Sequence, residues 1–217
     1  MKVTPVNLHV SDSIGNVSGE IIEGEKTEVV LTLAHGAGAG MNHSFMIALA
    51  EALAHHHITT LRFNFPFMEK KRGRPDIPAV AHSTIESAIS LAHATFPSKP
   101  LFVSGKSFGG RMSSQHLANS PEAHVKGIVF FGFPLHPAGK PSVERAEHLK
   151  EISMPMLFLQ GTRDELAQWD LITSVTDSLS LATLQKLEGA DHAFKAGKKN
   201  LISDLAQFTK KWISTTI

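Results

Sequence analysis

Residues 101–112 read L-F-V-S-G-K-S-F-G-G-R-M, and this stretch limits what the chain can fold into more than any other. Leu101 to Ser104 is an apolar run of strand character. Gly105-Lys106-Ser107-Phe108-Gly109 then spells G-x-S-x-G, with Gly110 behind it, and the pattern turns helical. A strand, a tight turn flanked by glycines and a helix form the elbow that lifts a serine hydroxyl above the edge of a parallel sheet. The turn holds its serine in a strained backbone conformation, and side chains on the flanking residues would collide. Gly105-Lys106-Ser107 also matches the end of a phosphate-binding P-loop. That motif needs a glycine where the chain has Pro100, and a loop where it has the strand-like Leu101 to Ser104. The P-loop reading fails on both counts.

An elbow requires alternating strands and helices around it, and the hydrophobic pattern supplies them. Residues 3–10 and 17–22 read as a hairpin, and Val29 to Ala34 as a buried strand followed by His35-Gly36-Ala37-Gly38-Ala39-Gly40. Phe45, Leu49, Ala52 and Leu53 share one face of a helix that ends at His55-His56-His57. Consecutive histidines point in different directions on a helix, so the triplet reads as a helix C-terminus and not as a metal site. Thr59 to Phe65 is the next strand, and Pro66 to Pro78 a basic, proline-rich loop. Ala81, Ile85, Ala88, Ile89 and Ala92 then repeat at helical spacing. After the elbow come a strand at Val125 to Phe133, a helical stretch at Val143 to Glu151 and a strand at Met156 to Leu159. A helix at about Glu165 to Leu179, a strand at Thr183 to Leu187 and a helix at about Lys198 to Trp212 complete the chain. This alternation implies an α/β fold with a mostly parallel sheet, helices on both faces and an N-terminal antiparallel hairpin. The expectation is a single domain over residues 1–217.

Composition narrows the chemistry. The 217 residues carry 21 basic and 20 acidic side chains, a net charge of +1, which gives no case for a nucleic-acid surface. Cysteine is absent, which excludes disulfides, thiolate metal sites and a cysteine nucleophile. The N-terminus alternates polar and apolar residues, unlike a secretory signal, and no apolar run approaches the roughly 18 residues of a membrane span. A cytoplasmic protein is expected, with no nucleic-acid or membrane partner.

In open α/β sheets, sites form beyond the carboxyl ends of the strands. An elbow serine therefore asks for an acid and a histidine after later strands, in the order serine, acid, histidine. Asp164 follows the strand at Met156 to Leu159, and His192 follows the last strand. A serine hydroxyl is a weak nucleophile at neutral pH and needs a base that titrates near 7, which histidine provides. The carboxylate fixes the imidazole tautomer and stabilises the imidazolium. Ser107, Asp164 and His192 are the candidate catalytic residues, with Glu165 and Asp191 as alternative acids. A developing oxyanion needs N–H donors. The backbone N–H of Phe108 is one candidate, and the glycine-rich loop supplies the other, Ala37 first and Gly38 second. A dinucleotide-binding reading of that loop fails, because its third glycine comes too early and no acid follows about 20 residues on. His35 is read as an anchor for the loop.

Six segments carry a resemblance: L-A-H-G-A-G-A-G-M (33–41), R-F-N-F-P-F (62–67), G-K-S-F-G-G-R (105–111), F-F-G-F-P-L-H (130–136), Q-G-T-R-D (160–164) and D-H-A-F (191–194). Over roughly residues 27–215 the chain resembles the α/β-hydrolase superfamily. It is most similar to the small dienelactone-hydrolase-like branch, whose eukaryotic members include a testis-expressed hydrolase-like protein and a subunit of the NSL histone acetyltransferase complex. The resemblance implies a serine hydrolase of carboxylesterase type that needs no cofactor or metal. Dienelactone hydrolases themselves use a cysteine nucleophile, and this chain departs from them with Ser107.

Many lipases carry a cap after the strand that here ends at Phe133. Only about 20 residues separate that strand from the next, enough for one crossover helix. The site should be open and take a small soluble acyl substrate: an ester, a thioester or a related acyl bond. Lys71, Arg72 and Arg74 lie in a strand-end loop on the mouth side and are candidates for binding anionic substrates; internal pairs such as Arg74–Asp76 or Glu69–lysine are the alternative. A second function class stays open, a non-catalytic interaction or ligand-binding protein on the same fold.

Overall fold

A computed structural model describes residues 1–217. Eight strands form one sheet: β1 (Lys2–Ser11), β2 (Gly15–Glu23), β3 (Val29–Ala34), β4 (Ile58–Phe63), β5 (Leu101–Lys106), β6 (Val125–Phe131), β7 (Met156–Gly161) and β8 (Ala182–Leu187). Their spatial order is β1-β2-β4-β3-β5-β6-β7-β8. From β4 to β8 every pairing is parallel, and β1 and β2 add an antiparallel edge. Strands β3, β4 and β7 are buried along their whole length, as expected of strands covered on both faces.

The covering helices are α1 (Ser44–His55), α2 (Pro66–Glu69), α3 (Pro78–Thr95), α4 (Phe108–Asn119), α5 (Trp169–Asp177) and α6 (Ile202–Thr216). Helix α1 starts where the His43 ring accepts the Phe45 N–H, and α3 starts at Pro78, whose fixed φ suits a first helical position. Ala81, Ile85, Ala88, Ile89 and Ala92 are all buried, as their spacing predicts. Helices α3, α4 and α5 pack on one face of the sheet. Helices α1 and α6 bury Leu49, Leu53, Leu205 and Ile213 on the other.

The sheet reverses direction at β3, with β4 on one side and β5 on the other. A crevice opens at such a switch point beyond the strand ends. The loop after β3 and the elbow after β5 therefore sit side by side. Their closeness depends on missing side chains. A Cβ on Gly109 would lie 2.5 Å from the Ala34 carbonyl oxygen, and one on Gly105 would lie 2.3 Å from the Gly110 nitrogen.

The fold is the α/β-hydrolase fold the sequence implies, with no cap: between β6 and β7 stands only a 3-10 helix, Glu144–Glu151. Several boundaries differ from expectation: β6 ends at Phe131 and not Phe133, the loop expected from Pro66 opens with the single turn α2, and three more have a visible cause. Strand β4 stops at Phe63 because the Phe65 N–H leaves the ladder to bond His35. Helix α5 begins at Trp169, not Glu165, because the N–H groups of Leu166 and Gln168 are taken by Asp164 and His136. Helix α6 begins at Ile202 because a short hairpin, β9 (Lys195–Ala196) with β10 (Lys199–Asn200), turns at Gly197 with φ +61°.

Gly109→Ala pushes a methyl group into the backbone of β3, an obstacle that cannot swing aside. It is expected to cost about 2–3 kcal/mol and lower Tm by roughly 5–10 °C. Gly73→Ala, where a Cβ meets nothing within 4 Å, should leave Tm unchanged. Thermal unfolding of the two variants checks this.

Candidate active site

Ser107 stands between β5 and α4 at φ +51° and ψ −115°, a left-handed conformation for a residue with a side chain. Such backbone costs about 1–3 kcal/mol and persists only where the surroundings enforce it. Its N–H bonds the Phe131 carbonyl at 3.3 Å, and its carbonyl accepts the Arg111 N–H at 3.0 Å.

Asp164 and His192 meet beyond the ends of β7 and β8. The His192 Nδ1 lies 2.7 Å from Asp164 Oδ2, so the ring donates to a carboxylate that is only 1% exposed. Gln160 Nε2 donates to the same oxygen at 2.7 Å, and the Leu166 N–H donates to Oδ1 at 2.8 Å. Gln160 is itself held, accepting the Phe133 N–H at 2.9 Å. A buried carboxylate is costly unless its lone pairs are filled, and here they are. Of the alternative acids, Glu165 is exposed, and Asp191 spends Oδ1 on the N–H groups of Ala193 and Lys195, each at 2.9 Å. Ser107 Oγ makes no hydrogen bond within its own helix cap and none to His192. Without substrate, contacts of this kind are often long and tighten later.

Lys106 ties the loop of His192 to the elbow. Its Nζ donates to the His192 carbonyl at 2.6 Å and lies 4.9 Å from the centre of the Phe194 ring. Burial brings its pKa down to about 8, against the opposing pull of Asp164 and Asp191. Gly132 leaves the space: a Cβ there would lie 3.2 Å from Nζ and 3.5 Å from His192 Cε1.

On the other side of Ser107, His35 holds the glycine-rich loop. It is fully buried, its Nε2 accepts the Phe65 N–H at 2.9 Å, and its Nδ1 donates to the Gly36 carbonyl at 2.7 Å. A ring that accepts at one nitrogen is neutral. Burial agrees, bringing its pKa to about 4 although the bond to Gly36 acts the other way.

Ala37, Ser107 and Phe108 line one cleft of about 390 Å³, together with Pro75, Asp76, Pro78, Arg111, Met112, Pro134, Arg145 and Leu166. This is the size of a small-ligand site. A larger concavity of about 460 Å³, between β1 and α3, contains none of these groups. Gly38 is exposed and does not line the cleft; neither do Lys71, Arg72 and Arg74, which are exposed on the loop beyond α2. The internal pairs considered for that loop do not form. Glu69 bonds Ser18 and Asn64, and Asp76 accepts the Phe67 N–H at 2.9 Å. No group of three or more His, Asp or Glu side chains converges to hold a metal ion.

Residues 27–214 match the family described as Alpha/beta hydrolase domain. The chain belongs to that family. Among solved structures it is similar to an α/β serine hydrolase homologue from Coxiella burnetii, with 19% identity, a TM-score of 0.79 and 98% of each chain covered. A dienelactone hydrolase from Anabaena variabilis aligns with 17% identity and a TM-score of 0.79, over 100% of this chain and 98% of that one. A serine hydrolase without a lid from Xanthomonas campestris aligns with 20% identity and a TM-score of 0.74, over 98% and 95%. At these identities the likeness is one of fold.

Gln160, Lys106, Arg111 and Arg145 escaped the reading of the sequence as site residues. Gln160 and Arg111 stand inside motifs already singled out, Q-G-T-R-D and G-K-S-F-G-G-R. A polar residue in an all-buried strand end, and an arginine one turn after the serine, were the available signals. Nothing local marks Arg145.

The neutral state of His35 has a pH signature. Between 6.5 and about 4 the unfolded chain takes up a proton at this ring and the folded chain does not. Its contribution to stability is therefore complete above about pH 6.5 and lost as pH falls toward 4. His35→Ala should cost about 2–4 kcal/mol at pH 7. Urea titrations of both proteins should show that gap narrowing below pH 6.5.

Proposed function

We propose that this chain is a serine hydrolase of carboxylesterase type, cleaving an ester, thioester or related acyl bond of a small substrate. The observation that carries the reading is the 2.7 Å contact between His192 and buried Asp164, beyond the ends of β8 and β7, in a molecule whose elbow holds Ser107 at φ +51°. Similarity in fold to serine hydrolases supports it.

In this reading His192 Nε2 takes the Ser107 proton as Oγ attacks the acyl carbon. Asp164 keeps the proton on Nδ1 and stabilises the imidazolium. Electron density moves to the carbonyl oxygen, and in this reading the N–H groups of Phe108 and Ala37 receive it. His192 then protonates the leaving group, and an acyl ester remains on Ser107. Water, deprotonated by His192, attacks that ester and releases the acid and the free serine. Lys106 acts as a positioning residue for the His192 loop. The scheme calls on no cofactor, nucleic acid or membrane. Lys71, Arg72 and Arg74 act at range in it, attracting anionic substrates to the mouth without contact. The same reading places the chain in the small dienelactone-hydrolase-like branch that its motifs resemble, as a single cytoplasmic domain.

A ligand-binding role on a hydrolase fold is the competing reading. It accounts poorly for two costly features. Recognition alone needs neither a strained serine nor a desolvated carboxylate aimed at a histidine.

A panel of acyl esters graded in length should identify a substrate. Ser107→Ala should then reduce kcat by roughly 10⁴-fold or more with the fold intact. Near wild-type turnover by that variant would remove Ser107 from the mechanism.

A further inference from the structure

Two cations line the cleft of the candidate nucleophile without an ion-pair partner. Arg111 follows Ser107 by one helical turn on α4, and Arg145 enters from the 3-10 helix between β6 and β7. Both line the cleft that contains Ser107, and both are half-buried. Neither forms an ion pair, and the only side-chain hydrogen bond of the two is a long one, 3.4 Å from Arg145 to the Pro134 carbonyl. The two guanidinium groups feel each other: burial first, and the charge of Arg145 second, hold the pKa of Arg111 below its ordinary value. His148, behind them, is neutral, its pKa brought to about 4 by burial and then by Arg111 and His82. The one carboxylate in the lining, Asp76, accepts the Phe67 N–H and forms no ion pair with either arginine. Like charges held together in a partly desolvated cleft cost stability in the free protein, and an anion bound between them offsets that cost.

Resting on the serine hydrolase reading, we propose that Arg111 and Arg145 form an anion subsite. The substrate is then an acyl compound with a carboxylate or phosphate a few bonds from the scissile carbonyl. The reach follows from the helix. Side chains tilt toward a helix N-terminus, so Arg111 leans back over the elbow. One turn separates it from Ser107, about 5.4 Å along the axis. A guanidinium grips a carboxylate or phosphate through two parallel N–H donors, and two of them fix the anion's orientation as well. The apolar remainder of the lining, Phe108, Met112, Pro134 and Leu166, suits a short carbon chain between the anion and the carbonyl.

The test compares 4-nitrophenyl hydrogen glutarate with 4-nitrophenyl valerate, each corrected for spontaneous hydrolysis. Wild type should favour the glutarate in kcat/KM by about tenfold or more. Arg111→Gln and Arg145→Gln should each abolish most of that ratio, and Arg145→Lys should keep part of it. Lys150→Gln, on the exposed side of the same 3-10 helix, should keep all of it. A second pair, 4-acetoxyphenyl phosphate against 4-methylphenyl acetate, tells a phosphate on the leaving group from a carboxylate on the acyl group. Binding is read separately, as the rise in Tm with monomethyl glutarate, which wild type should show and Arg145→Gln should not. If valerate is hydrolysed with no preference and no Tm shift, the subsite is wrong and the Ser107 reading stands. If monomethyl glutarate stabilises wild type and no ester is cleaved, the subsite stands and the hydrolase reading falls. A preference that survives Arg111→Gln and Arg145→Gln, and disappears only at high salt and on charge reversal at Lys71 and Arg72, places recognition in the exposed loop and overturns the proposal.

Discussion

Beneath Ser107 three backbone segments touch: the end of β3, the end of β5 and the first turn of α4. Gly105, Gly109 and Gly110 permit the contact, and no side chain fits there. From that contact follow the positive φ of Ser107, the position of the Phe108 N–H at the start of α4, and the nearness of the Ala37 loop. A looser junction would let the serine relax into ordinary backbone, and its hydroxyl would turn away from the crevice. The strain is thus held by packing that lies outside the reacting groups, in the main-chain geometry of the sheet's switch point.

A second layer of constraint surrounds the acid and the base. Asp164 is buried, and its charge is tolerable because Gln160, Leu166 and His192 each donate to it. Gln160 passes the constraint to the chain just beyond β6 through the Phe133 N–H, and Lys106 passes it to β5 through the His192 carbonyl. His192 is therefore tied to the ends of more central strands as well as to its own loop. His35 does the same on the far side, fastening the glycine-rich loop to the Phe65 backbone at the end of β4. Charges left without partners, on Arg111 and Arg145, stand out against this background of satisfied groups.

Much of this was legible in the residues. Buried parallel strands announce themselves as apolar runs, and the elbow and the later Asp and His occupy strand ends whose order the topology dictates. Asp164 was the preferred acid by its place after β7, and its buried contact with His192 sets it apart from Glu165 and Asp191 in three dimensions. The helix starts at Trp169 and Ile202 were misread because side chains take the N–H groups there: Asp164 and Asn200 from two residues back, and His136 from 32 residues away, which no local pattern records. The basic loop drew attention by its run of charge, yet the cations inside the cleft are isolated ones, Arg111 and Arg145. Charge clusters favour exposure to water, and an arginine used at close range is usually single in sequence.

If His192 and Asp164 activate the hydroxyl of Ser107, that hydroxyl reacts far faster than an ordinary serine. A fluorophosphonate reagent couples covalently to an activated serine with loss of fluoride, and intact-protein mass spectrometry counts the adducts. Wild type should carry one adduct, mapped to Ser107, absent from Ser107→Ala and slowed by orders of magnitude in His192→Ala. An unlabelled wild-type protein, or equal labelling of the His192→Ala variant, would contradict it.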